Sequence, residues 1–421
     1  MTPSPALRPT ARYYGLEWLR FLMALYMVVY HLGGLYSDLP DAFRRLAGMG
    51  FFATSTFFLL SGFLLAHVSL DRQGALKGSS RGFVLRRLCN LYPIHLLTLL
   101  VALGLSYWLS QDSWLEHGVP VYYNQHPYLQ LEEGGALDEM LPLSWLAATT
   151  HVLLQLLLLQ SWEPRFLWLN GAAWSISALL FFYLLFPLLG PRLMRLRRWA
   201  LAAAVLWGLY LLGPLVATWA QAFDTVTVGV IHRNPLIRLP EFLLGILLYR
   251  AVQEPWVAET TQRLRVPLLL FGLTGLWLGA LLLEGDGRRW FYLVHNGLLT
   301  PFQAAVLLAC ATFGEPGRAG VRRLAQRLGE ASLCIFAVHT PLIGVLEPWT
   351  RTLLGWMHLA GDSLEDLAED VGEVLALPIP IPIPGWMLPL HLVLIVLLGL
   401  AMQRWVAGPL RRWLQARLPN S

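Results

Sequence analysis

Glu17, Arg20 and His31 stand in LEWLRFLMALYMVVYH, residues 16–31, a stretch that is otherwise almost wholly apolar. Ionisable groups are costly in a bilayer, so such residues are expected to face protein or water. Eleven positions at about 100° each return to within about 20° of one helix face, so Arg20 and His31 project on one side, about 16 Å apart in depth. Glu17 lies three residues before Arg20, a spacing at which a carboxylate meets a guanidinium on a helix. A neutral imidazole at His31 can take a proton from a hydroxyl nucleophile, the step that acyl transfer to an alcohol needs at neutral pH. An Arg20 guanidinium held by Glu17 can bind a phosphate or a carboxylate. The residues alone leave plainer readings open: a packing histidine, and a structural ion pair that neutralises charge within a bundle.

This stripe needs a protein-lined surface to face, and the composition indicates its kind. The chain has 421 residues, 56% hydrophobic and 14% charged, where a soluble domain has about 25% charged. Its mean hydropathy is +0.54. An all-α, polytopic membrane bundle is therefore expected. No long polar linker divides it, which predicts one transmembrane domain over 15–406, between a cytoplasmic segment 1–14 and a basic cytoplasmic tail 407–421. The net charge of +5 does not point to a nucleic-acid partner, because the basic residues stand in short groups between apolar runs, as cytoplasmic loops do. Membrane lipid is the expected surrounding. Cys89, Cys310 and Cys334 lie in or beside apolar runs without C-x-x-C spacing and read as buried hydrophobes, not as metal ligands or a disulfide framework. Arg8 and Arg12 precede an apolar run too long for a signal-peptide core, so an uncleaved first span with its N-terminus inside is expected.

Apolar runs predict ten crossings, at about 15–35, 50–67, 89–109, 174–190, 199–220, 236–252, 266–284, 291–313, 330–347 and 386–406. The run at 143–160 is ambiguous. A full crossing there would place Arg192, Arg195, Arg197 and Arg198 outside, so a re-entrant or interfacial helix is expected instead. With that choice the groups beginning at Arg72, Arg250, Arg318 and Arg411 all fall inside. The loop 110–140 carries acids from Asp112 to Glu139 and no Lys or Arg, and should lie outside. Its Trp114, Tyr122, Tyr123 and Tyr128 suit a membrane interface or stacking on sugar rings. In the outer loop 348–385, Ser363 with Asp366 resembles a helix cap and predicts a short acidic helix. PIPIPIPG at 378–385 cannot continue a helix and reads as an extended spacer or as the wall of an acceptor groove.

Six segments resemble blocks of the membrane-bound acyltransferase family 3, in family order. The first span is similar to LDxLRxxAAxxVxxxH, with the Arg-x10-His pair at Arg20 and His31 and its acid at Glu17. FFLLSGFLL at 57–65, containing Ser61, is similar to FFxxSGFL, and RRLCNLYP at 86–93 to RRxxRxYP. NGAAWSISALLFFYLLFP at 170–187, with Trp174, Ser175 and Ser177, is similar to NGxxWSLSxExxFYLLxP. RLPEFLLG at 238–245, with Glu241, and LGEASLCIFAVHTPL at 328–342, with His339, resemble two later blocks.

The resemblance implies a multispanning bacterial inner-membrane enzyme, with both termini cytoplasmic, that acylates hydroxyls of extracytoplasmic carbohydrates. It implies the stand-alone form, without an attached periplasmic domain. The implied donor is acyl-CoA, acetyl first and succinyl next, used as a substrate with no tightly bound cofactor and no metal. Arg87, with Arg86, Asn90 and Arg20, would line the donor site, its guanidinium groups holding the donor phosphates, and His31 would act as general base or carry the acyl group itself. Two positions depart from the pattern. The second arginine of Arg-x-x-Arg is Asn90, and the acid of WSLSxE is Leu179. Glu241 or His339 would have to supply a compensating polar group. A donor- or acceptor-altered member, a non-catalytic membrane scaffold and, less in keeping with the hydropathy, a secondary transporter are the competing functional classes.

Overall fold

The computed structural model describes residues 12–117, 119–121, 141–359 and 382–418. It is an all-α bundle and has, among the described residues, eight helices long and apolar enough to cross a membrane. The first half contains α1 (Tyr14–Leu32), α2 (Asp41–Ala47), α3 (Gly50–Ser69), α4 (Ser80–His117), α5 (Trp145–Leu156), α6 (Trp174–Met194) and α7 (Trp199–Trp219). The second contains α8 (Thr225–Arg233), α9 (Pro235–Ala251), α10 (Pro255–Arg263), α11 (Arg265–His295), α12 (Thr300–Ala311), α13 (Ala319–Leu359), α14 (Leu388–Met402) and α15 (Gly408–Gln415). A two-stranded antiparallel ribbon, β1 (Val119–Val121) with β2 (Leu141–Leu143), joins the end of α4 to the start of α5.

The centre of the bundle is α3, apolar all round and buried along most of its length, as such a helix must be in the middle of a packed protein. Its partner across the core is α9, and the two touch through glycines. A Cβ on Gly62 would lie 2.0 Å from the Phe242 carbonyl oxygen, and one on Gly245 would lie 1.9 Å from that of Leu59. Small residues let membrane helices approach to backbone contact, and here each helix supplies one. By contrast α7 turns Leu201, Val205, Leu209, Leu212 and Val216 outward, an apolar flank suited to lipid.

The expected re-entrant element is α5. Its 12 residues reach about 18 Å, short of a hydrocarbon core of about 30 Å. Ser144 caps its start by accepting from the Ala147 N–H. Its last carbonyls find partners on α4: Tyr92 Oη donates to the Leu156 oxygen at 2.7 Å, and His95 Nε2 to the Gln155 oxygen at 2.7 Å. The chain then turns through Leu158, which has a positive φ of 55°, and continues to α6.

Four expected spans have other bounds. The spans at 266–284 and 291–313 are divided differently, because α11 runs to His295 through a break at Asp286, and α12 then supplies only 12 residues. The expected span at 330–347 is the middle of a 41-residue helix. The expected span at 89–109, part of the basic loop before it and the first eight residues of the expected loop 110–140 form one 38-residue helix. Tyr122, Tyr123, Tyr128, Ser363 and Asp366 lie outside the described residues. The end of the proline run is described: Ile383 pairs with Tyr36, its oxygen accepts from the Ser37 N–H at 3.1 Å, and Gly385 N–H donates to Asp38. The run therefore fastens α14 to the turn that follows α1.

Candidate active site

Two cavities are stacked along α1, and they share no lining residue. One, of about 470 Å³, is lined at the arginine-rich end by Arg12, Glu17, Arg20, Ser61, Arg87 and Tyr183, among others. The other, of about 480 Å³, is lined toward the opposite end by His31, Thr54, Trp174, Ser175, His232 and His295, among others. Helices α1, α3, α6 and α13 contribute to both, at successive turns. The polar stripe expected on α1 thus divides between two compartments, with Glu17 and Arg20 in the first and His31 in the second.

In the first cavity Glu17 is held from two sides, by Arg12 at 3.0 Å and by Arg20 at 3.6 Å. Arg12 also reaches Glu330 on α13 at 3.3 Å. This approach requires Gly329, since a Cβ there would lie 2.1 Å from a Glu17 carboxylate oxygen and 3.1 Å from the Glu17 Cα. Arg87 donates to Ser69 Oγ at 3.2 Å and stacks on Phe83, 5.4 Å from its ring centre. Leu179 also lines this cavity. The wall therefore carries three guanidinium groups against the single carboxylate of Glu17, and the position where the resemblance expects an acid is apolar.

At the wall of the second cavity His31 meets His339, which is buried behind it and lines neither cavity. The Met27 carbonyl oxygen can only accept, and it lies 2.9 Å from His31 Nδ1, so that nitrogen carries the proton. The same logic puts a proton on His339 Nδ1, which donates to the Phe336 oxygen. His339 Nε2 is then an acceptor, 3.0 Å from His31 Nδ1 and 3.3 Å from Thr340 Oγ1. This chain of hydrogen bonds leaves His31 Nε2 as the basic atom of a ring on the cavity wall. No Lys, Arg, Asp or Glu lines this cavity among the described residues.

The remaining expected residues separate into those on a cavity wall and those outside both. Trp174 and Ser175 line the second cavity, and Ser175 Oγ donates to the Ala172 oxygen at 3.0 Å. Ser177 lines neither cavity; it bonds Ser161 Oγ at 2.7 Å and the Leu158 oxygen at 2.5 Å, securing the turn after α5. Arg86 and Asn90, expected beside the donor, are also outside both walls. Asn90 Oδ1 instead accepts from Gln415 Nε2 at 3.0 Å, docking α15 on α4. Glu241 is buried against Arg238 at 3.0 Å and accepts from Tyr210 Oη at 2.6 Å, while Arg238 also reaches Ser55 at 2.9 Å and Asn296. That polar knot joins α3, α7 and α9 outside both cavities, so Glu241 does not stand in for the acid absent at Leu179.

The profile of the acyltransferase domain family, whose motifs the first span and later blocks resemble, matches residues 13–407. The chain belongs to the membrane-bound acyltransferase family 3. Acyltransferase MdmB of Streptomyces mycarofaciens is 30% identical over 250 residues, which are 55% of this chain and 56% of that protein. The chain thus spans little more than half the length of this curated relative. No solved structure matches it.

In this member of the family, several cavity residues escaped sequence reasoning. His232 and His295 sit in VIHRNP and YLVHNG, at the edges of apolar runs, where a histidine is an available signal. Their packing is specific: His295 stacks on Phe51 at 3.7 Å between ring centres and on Phe291 at 3.9 Å, and His232 packs on Trp174 at 5.0 Å. Arg233, fully buried, donates to the carbonyl oxygens of Phe166 at 2.8 Å and Pro164. It anchors the segment that leads to Gly171 and Trp174. Asn170 Nδ2 holds the other end of that segment on the Ala337 oxygen at 2.8 Å.

Proposed function

We propose that this chain is a membrane O-acyltransferase that moves an acyl group from acyl-CoA in the first cavity to a hydroxyl in the second. The observation that carries this reading is the division of α1: guanidinium groups at one cavity, and the His31–His339 pair at the other. Phosphates are favoured by several guanidinium groups facing one space. A neutral hydroxyl acceptor suits a second cavity rimmed by aromatic and imidazole rings with no charged side chain among the described residues.

In the reaction, His31 Nε2 takes the acceptor's hydroxyl proton as the oxygen attacks the thioester carbonyl. The C–O bond forms and the C–S bond breaks. The imidazolium returns its proton to the departing thiolate, leaving an ester and free CoA. His339 Nε2, facing the His31 Nδ1–H, favours the charged ring during the step and is a positioning residue. Apposition of the two substrates supplies the rest of the rate.

The arginine-rich end is assigned to the cytoplasm by the positive-inside rule, which puts both termini there and opens the second cavity to the other face of a bacterial inner membrane. The donor is assigned as acetyl-CoA and the acceptor as an extracytoplasmic carbohydrate, with a single functional domain over 15–406. The test is a host strain carrying His31→Ala, with surface and periplasmic glycans weighed by mass spectrometry. Loss of the acyl mass is expected. Unchanged acylation, in a background where the wild-type gene restores it, overturns the reading.

A further inference from the structure

Between α3 and α13 the wall separating the two cavities is one layer of side chains thick. On α3 the step from Phe57, in the first cavity, to Thr54, in the second, is three residues; on α13 the step from Leu333 to Phe336 is also three, or about 4.5 Å of helix. At this level the ring of Phe57 faces one cavity and that of Phe336 faces the other, and their centres are 6.0 Å apart, inclined at 59°. Phe336 also lies at the base on the far side. Its carbonyl holds His339 Nδ1, and its ring centre is 5.6 Å from that of His339. A group that passes this pair from the arginine side therefore arrives directly at the His31–His339 pair.

We propose that Phe57 and Phe336 form the gate between the two cavities and set the size of acyl group that can pass. The assignment of acyl chain length rests on the acyltransferase reading; the gate itself rests only on the geometry of the wall. Two rings in contact close the wall between α3 and α13, so passage between these helices requires one ring to change its side-chain torsion. A small acyl group needs a brief parting of the rings, whereas a long chain must hold both rings aside along its length. Phe57 and Phe336 are specificity-determining residues in this scheme, and neither carries a proton or a charge.

The gate is tested with Ser175→Cys, a reporter on the wall of the second cavity, in inside-out membrane vesicles. A membrane-impermeant cationic methanethiosulfonate reagent is added from the arginine-rich side, and modification of the reporter peptide is followed by mass spectrometry. Adding Phe57→Ala or Phe336→Ala is expected to raise the rate at least tenfold, with the rate in right-side-out vesicles within twofold of the parent, as an intact fold requires. An unchanged rate from the arginine side in both variants overturns the gate. A parallel assay measures transfer from acyl-CoA of two to eight carbons in the chain without the reporter. The alanine variants are expected to shift the preferred length upward by two carbons or more, and an unshifted profile overturns the size assignment. If the wild-type chain transfers no acyl group while the labelling rates change as expected, the acyltransferase reading fails and the gate stands.

Discussion

His31 and His339, 308 positions apart in the chain, meet with Nδ1 and Nε2 separated by 3.0 Å. The contact makes one imidazole the acceptor for the other, and so orients the ring whose free nitrogen looks into the cavity. Replacing His339 with Ala is expected to lower kcat about 10- to 100-fold, the loss that follows removal of a partner that orients an active histidine, with little change in KM for acyl-CoA. His339→Gln keeps an acceptor oxygen near His31 Nδ1 and should recover part of the loss. A pH–rate profile separates the roles: the alanine variant is expected to move its acid limb, whereas a purely structural loss scales the curve without moving it.

The guanidinium groups of the first cavity should act on donor binding. Arg20→Ala and Arg87→Ala are each expected to raise KM for acyl-CoA about 10- to 100-fold, the equivalent of one lost charge-assisted hydrogen bond. Arg86, which lies outside the cavity wall, should tolerate alanine within about twofold, a bound typical of surface substitutions. Initial rates in proteoliposomes against donor concentration check both outcomes.

Glu241 and Arg238 are at 0% and 1% exposure, 3.0 Å apart. Removing one member strands the other's charge in the core, at a cost of about 3–5 kcal/mol. Glu241→Gln should therefore lower the thermal unfolding midpoint in detergent far more than it lowers kcat per folded molecule, since neither residue lines a cavity. A kcat loss in fully folded protein that matched His31→Ala would contradict this assignment.

Asp224 caps α8 by accepting from the Val226 and Thr227 N–H groups at 3.0 and 2.9 Å. Burial pushes its carboxyl upward, but the hydrogen bonds from Thr227 and Val226 outweigh this and hold it below the usual range. A depressed folded value stabilises the protein above the unfolded carboxyl's pKa, and that contribution disappears as pH falls through the folded value. Asp224→Ala should cost about 1 kcal/mol at pH 7, and Asp224→Asn should keep the cap while removing its acid dependence. Unfolding midpoints between pH 3 and pH 7 provide the measurement, and α8 matters to the site because His232 and Val228 line the second cavity.

Much of this architecture was legible before any coordinate was in hand. The apolar runs and the paired spacing of Glu17, Arg20 and His31 are local properties, and a helix's periodicity converts spacing directly into a face. The place beside the donor expected for Asn90 comes from the family resemblance and not from its neighbours in the chain. Its neighbour proved to be Gln415, on a helix 325 positions away, and no spacing rule reports such a partner.

The amino-acid sequence by itself determined the membrane class, most of the helices, their alternation of charge and the ionisable stripe on α1, because hydropathy and helical period are sums over neighbouring residues. Only the tertiary structure decided that α3 lies at the centre and α7 at the edge, although both are apolar all round. It also decided that Leu179 faces the arginines, that Glu241 is locked in a knot of its own, and that His339 sits on His31. The physical reason is that lipid is as apolar as the helices it surrounds, so hydrophobicity does not choose which helices meet. Small residues such as Gly62, Gly245 and Gly329 allow the close approaches, and buried polar groups are stable only in arrangements that satisfy them. At His31 those constraints bring a tilted ring to a stripe that the first span had already drawn.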